Sequence, residues 1–145
     1  MGVVYLMYMM LLLRMAAILL MAGTTFTARL APVAMDATMR ATVAGAGSAS
    51  ASLNGARLTI TGSFEGLKSP ATIAQIRRGV ATGVRGPAIL DLSVSKAAGG
   101  GTSGTISGSF DLTPEQAESL RKGELYIQIH SEKAPDGNLW GWLLP

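Results

Sequence analysis

The chain has 145 residues, a formal net charge of +3 and no cysteine. That length suits one domain with an appendage, and the missing thiols exclude disulfide bracing, cysteine nucleophiles and cysteine-rich zinc sites. The charge is too mild for a nucleic-acid-binding surface, which needs a dense basic face.

The appendage comes first. Val3 to Ala22 is apolar except for Arg14. Counted from Met1, the run has the length of a membrane-spanning helix. From an internal start such as Met9 it has the form of a signal peptide, with Arg14 as the basic region and Met15 to Ala22 as the apolar core. An arginine in mid-span costs about 2.5–3.5 kcal/mol on insertion scales, which favours the signal peptide. Residues 1–24 therefore read as a signal peptide or N-terminal membrane anchor, and 25–145 as an exported domain (periplasmic, extracellular or envelope-anchored). Contact with a membrane is expected only through the N-terminal segment.

Ala41 to Ser52 is rich in Gly, Ala and Ser. It has a linker's composition, but it leads into Leu53-Asn54-Gly55-Ala56, and Asn-Gly is the strongest short hairpin signal. After that turn Leu58, Ile60 and Phe64 alternate with Thr59, Thr61 and Ser63, the pattern of a half-buried antiparallel strand. Ile73 to Arg77 predicts a short strand with Gln75 and Arg77 on one side. A loop with Gly79, Gly83 and Gly86 follows, then strands over Ala88–Val94 and Thr105–Leu112. One helix is expected, with Thr113 as N-cap, Pro114 at its first position, Gln116 closing a capping box and Gly123 as the stop.

The last stretch has the clearest alternation. Leu125, Ile127 and Ile129 point one way, and Tyr126, Gln128 and His130 the other. Leu139, Gly141 and Leu143 likewise oppose Trp140 and Trp142. Ala134-Pro135-Asp136-Gly137 reads as the turn between these two strands. Short strands at regular spacing and one short helix predict a mostly β fold, an antiparallel sandwich or barrel.

The order of these pieces resembles the chordin-type (CHRD) domain family over roughly Phe26 to Leu144. The resemblance rests on Ala74-Gln75-Ile76-Arg77-Arg78-Gly79 with Gly86-Pro87 after it, on the helix from Pro114 and on Gly123-Glu124-Leu125-Tyr126-Ile127-Gln128-Ile129-His130-Ser131. It ends with Gly137-Asn138-Leu139-Trp140-Gly141-Trp142-Leu143. It implies an immunoglobulin-like or related β sandwich in an extracytoplasmic setting, and no established catalytic activity. The family pattern has paired histidines where this chain has Gln75 and Arg77, and Arg-Gly-Gln where it has Trp140-Gly141-Trp142. His130 alone remains of three histidines that would converge.

These departures shape the candidate site. Arg77 would repel a cation, and Asp91, Glu132 and Asp136 show no ligand spacing, so no metal and no cofactor are expected. His130 lacks a nucleophile on its own face, since Ser131 is adjacent and points the other way, and there is no Gly-x-Ser-x-Gly elbow. A hydrogen-bonded structural histidine is favoured over a catalytic one. Trp140 and Trp142 form either a stacking platform or a cover for the open end of the fold, and the cover is favoured. Arg77 stacked on Trp140 would be worth roughly 0.5–2 kcal/mol. Arg77, Arg78 and Arg85 around the glycine loop read as solvated basic groups.

Gln75, Arg77, Tyr126, Gln128, His130, Trp140 and Trp142 are thus the ligand-binding candidates. At least two of their three strand faces are expected to meet in one polar-aromatic surface. The function expected is a non-catalytic binding or cell-envelope module for an unidentified ligand, a carbohydrate or a protein. The alternatives are a small extracytoplasmic enzyme centred on His130 and a membrane-anchored structural envelope protein. The N-terminal pattern predicts a mature protein starting between about residues 22 and 28 and lying outside the cytoplasm. N-terminal sequencing of material from the envelope fraction checks this, and full-length protein in the cytosol would refute it.

Overall fold

The alternation legible in the sequence becomes the inside and outside of a closed barrel. The computed structural model describes residues 2–10, which are helical and exposed, and residues 23–145. The expected signal or anchor segment, with Arg14 and its apolar core, lies largely outside the described residues. Among those described, no helix is long and apolar enough to cross a membrane.

The strands are β1 (Thr24–Pro32), β2 (Ala46–Asn54), β3 (Arg57–Glu65), β4 (Ala71–Arg78), β5 (Ala88–Lys96), β6 (Gly104–Asp111), β7 (Leu125–Ser131) and β8 (Ala134–Trp142). They close in the order β1-β2-β3-β6-β5-β4-β7-β8, with antiparallel neighbours throughout. Strand β1 is absent from the sequence-based expectations, which begin at Ala41. Its Phe26, Ala28 and Leu30 all point inward.

Two strands explain why the outcome is a barrel and not an immunoglobulin-like sandwich of separate sheets. Strand β5 pairs with β4 through Ala88 to Leu92 and with β6 through Ser93 to Lys96. Strand β1 pairs with β2 through Thr24 to Leu30 and reaches β8 through Ala31 and Pro32. Each bends from one sheet into the other, and the shared strands join the sheets.

The interior is filled by side chains such as Phe26, Leu58, Ile60, Ile76, Ile127 and Leu139, all nearly inaccessible to solvent. The helix Pro114–Arg121 belongs to the same core through Ala117 and Leu120. Its start forms as the sequence predicts. The Gln116 amide donates to Thr113 Oγ1 at 3.2 Å, and the Thr113 amide donates to Gln116 Oε1 at 3.0 Å. The helix stops at Gly123, whose φ of 73° suits glycine. Arg78 on β4 meets Glu115 on the helix at 2.8 Å, and this hydrogen bond holds the Glu115 carboxyl below the ordinary glutamate range.

The two hairpin expectations fare differently. Asn54 ends β2, and the turn is Gly55-Ala56, with Gly55 at φ 61° and Asn54 paired to Arg57. Positive φ at the first central residue alone is the type II′ pattern. The β7–β8 turn is not Ala134 to Gly137. It is Glu132-Lys133, and Ala134 already pairs with Ser131. The ladder then jumps to Ile129 opposite Leu139, leaving residues 135–138 as a bulge against His130. Proline and a glycine at φ 130° fit a bulge as well as a turn, which is why the sequence misplaces it.

Thr113→Ala removes the acceptor for the Gln116 amide and is expected to lower unfolding stability by about 1 kcal/mol. Urea unfolding checks this through a lowered midpoint at unchanged slope.

Candidate functional site

Strand β7 is the centre of the candidate surface because β4 and β8 flank it in register. Gln128 lies between Gln75 and Trp140, and Tyr126 lies between Arg77 and Trp142. With His130 at the next outward position, all three strand faces meet on the outside of the barrel. Strand β7 is therefore buried on both sides. Its inner residues Leu125, Ile127 and Ile129 fill the core, while Tyr126, Gln128 and His130 retain only 0%, 3% and 7% exposure. The cover consists of the aromatic rings of β8, the loop 79–87 and the bulge 135–138.

Buried polar groups need partners, and most of these have them. The Tyr126 hydroxyl donates to the Gly86 carbonyl at 3.1 Å and accepts from the Gly86 amide at 3.0 Å. Arg77 Nε donates to the same carbonyl at 2.9 Å, and Arg77 Nη1 donates to Gln75 Oε1 at 3.0 Å. Gln75 Nε2 in turn donates to Asp91 Oδ1 on β5 at 3.2 Å. Gly86 allows this approach because a Cβ there would overlap the Arg78 carbonyl.

The rings of Tyr126 and Trp142 stack with centroids 4.6 Å apart and planes inclined by 26°. Trp140 stands edge-on to both, 6.1 Å from Tyr126 and 4.7 Å from Trp142. Trp142 Nε1 is buried without a hydrogen-bond partner. The cation over Trp140 is Arg85, at 5.0 Å from the ring centroid, and not Arg77. Register is the reason: Arg77 sits in the Tyr126 row on the far side of β7, and its guanidinium is held by Gly86 and Gln75. Arg85, expected to be simply solvated, is brought over β8 by the loop.

His130 is fixed by acceptor chemistry. Its Nδ1 lies 2.7 Å from the Pro135 carbonyl, which can only accept, so Nδ1 carries a proton. Its Nε2 then accepts from Gln128 Nε2 at 3.3 Å, and the same Gln128 nitrogen donates to the Asp136 carbonyl at 3.2 Å. Asn138 completes the bulge. It donates to Ser131 Oγ at 2.9 Å, while its Oδ1 accepts from the Ala44 amide at 3.2 Å. No carboxylate bonds His130, and Ser131 is fully buried on the opposite side. Among the described residues, no group of three or more His, Cys, Asp or Glu side chains is placed to hold a metal ion.

The family model for the CHRD domain matches residues 26–143. The chain belongs to the CHRD domain family. No curated protein and no solved structure matches it. CHRD domains occur in extracellular proteins. In this CHRD domain the positions of the resemblance's paired histidines, Gln75 and Arg77, tie β4 to β5 and to the loop. Sequence reasoning missed Arg85, Gly86 and Asn138. Gly86-Pro87 in the family pattern was the available signal for the clamp, and nothing local in the sequence marks Asn138.

Tyr126→Phe keeps the ring stack but leaves the Gly86 amide without its partner and the Gly86 carbonyl with Arg77 alone. Loss of about 1 kcal/mol of stability is expected. Limited proteolysis should also cut the loop 79–87 faster, which mass spectrometry of the fragments would show.

Proposed function

We propose that this CHRD domain is an exported, non-catalytic binding module whose ligand seats against Trp140 under the reach of Arg85. One observation carries the reading. Gln75, Arg77, Tyr126, Gln128 and His130 bond to each other, to neighbouring backbone or to Asp91, whereas Trp140 stays half-buried with an exposed guanidinium over its ring. Arg85 forms no ion pair among the described residues. A rigid aromatic wall beside an unpaired cation suits a ligand with an apolar face and a negative charge, such as a uronate sugar. The five bonded residues become the support of the site rather than its contacts.

An enzyme centred on His130 is disfavoured by the bonds of that side chain. A general base needs a free lone pair within reach of a substrate proton. His130 Nε2 meets Gln128 instead, and the ring is almost fully covered. The sequence pattern of residues 1–24 and the extracellular occurrence of CHRD domains support the exported setting of this reading.

Titration with polyuronate oligosaccharides, followed by tryptophan fluorescence, tests the proposal. Arg85→Ala is expected to weaken binding at least about tenfold, the loss of one charge-assisted hydrogen bond, with an unchanged melting midpoint. Trp140→Phe should weaken it less while preserving the packing beneath. Unchanged affinity in Arg85→Ala, or no binding by the unaltered protein, would overturn the proposal.

A further inference from the structure

The other side of the barrel has a different chemistry. On the outer face of β1, β2, β3, β6 and β5 the outward positions are hydroxyls in ranks that follow the register. One rank runs Thr27, Ser50, Thr61, Ser107, Ser93 across all five strands. The next runs Arg29, Ser48, Ser63, Thr105, Ser95. All of these side chains are exposed, and none of the hydroxyls makes a side-chain hydrogen bond within the described protein. Each can donate one bond and accept two.

Between these ranks lies a rank of inward positions, Ala28, Ala49 and Gly62 on β1, β2 and β3. They are so small that the sheet closes tightly over them. A Cβ on Gly62 would come within 2.7 Å of the Ser48 carbonyl and 2.9 Å of the Ala49 Cβ. Outside, the same block is an open hollow of about 600 Å³, walled by Thr27, Arg29, Ser48, Ser50, Thr61 and Ser63. A second hollow of about 560 Å³ shares Ser48 and Ser63 and continues past Thr105 to Ser103. Together they make a trough across the strands.

Folding alone does not account for these residues. Serine is not among the residues favoured in strands, and exposed sheet faces usually carry charged side chains for solubility. Here charges stand at the margins: Arg57 is paired with Asp111 at one end, and Glu65 and Lys96 lie at the other. Arg29 is the single charge within the two ranks. Neighbouring hydroxyls repeat at about 4.8 Å across strands and about 6.7 Å along them, a regular donor and acceptor field.

We propose that this trough binds a neutral polysaccharide chain. The match is one of polarity. Sugar hydroxyls would find donors and acceptors in every direction, while an ionic ligand would find only Arg29 in the first hollow and Glu65 at the margin of the second. Each sugar would contribute little, and a polymer would gain through repeated contacts along the trough. The trough uses neither Trp140 nor Arg85, so the proposal does not depend on the site argued above.

The test is retention of the full chain on insoluble neutral polysaccharides (cellulose, chitin and a mixed-linkage β-glucan), measured as the fraction bound after washing. The variant Ser50→Lys/Thr61→Glu places an opposite-charge cross-strand pair in the trough, which preserves the sheet while blocking the hydroxyls. It is expected to lower retention at least about tenfold at an unchanged melting midpoint, whereas Arg85→Ala should be retained like the unaltered protein. No retention of the unaltered protein on any of the three polymers would overturn the proposal. So would equal retention of the trough variant, or loss of retention in Arg85→Ala alone.

Discussion

Burial of Tyr126, Gln128 and His130 on the outside of the barrel is the constraint from which the rest of this half of the molecule follows. Strand β7 has core on one face and cover on the other, so every polar atom it carries must find a partner inside the protein. The Tyr126 hydroxyl takes both backbone groups of Gly86 and thereby draws the loop 79–87 across the sheet. His130 and Gln128 take the Pro135 and Asp136 carbonyls, which fixes the bulge in β8. A strand of ordinary amphipathic pattern would have needed neither the loop nor the bulge.

Placement of Trp140 depends on that bulge. Past it, β8 returns to register with Ile129 opposite Leu139, and this sets Trp140 beside Gln128 and Trp142 beside Tyr126. Gly141 between the two tryptophans lets β8 approach β1, since a Cβ there would overlap the Arg29 carbonyl. The barrel closes at the strand that carries the aromatic wall. A change that moved the bulge by one residue would shift both rings and weaken the closure.

The local patterns were legible and the long-range ones were not. Alternation in Leu125 to His130 and Leu139 to Leu143 separates the core-facing residues from the outward ones, and the capping box at Thr113 forms as its sequence indicates. Residues 134–137 were misplaced because proline, aspartate and glycine satisfy a turn and a bulge equally. Sequence spacing contains no count of how many residues oppose His130. Barrel closure depends on β1 and β5 each bending from one sheet into the other, which no single strand's pattern reveals. Sequence alone leaves Arg85 in solvent, because its contact with Trp140 follows from the Tyr126 clamp, a bond between residues 40 apart in the chain.

The two outer faces of the barrel follow from what lies beneath and beside them. On the β4-β7-β8 side, Ile76, Ile127 and Leu139 fill the interior, and the outer positions are bulky and interlocked. Its side chains are held by rings, by a backbone clamp and by a bulge at once. On the β1-β2-β3 side, Ala28, Ala49 and Gly62 let the sheet curve inward, and short hydroxyl side chains line the hollow without bonding to one another. Larger inward residues would have flattened that sheet, and longer outward ones would have filled the trough. Size alternation inside the barrel therefore governs shape outside it, and the same closed ladder presents an interlocked aromatic face on one side and an open hydroxyl face on the other.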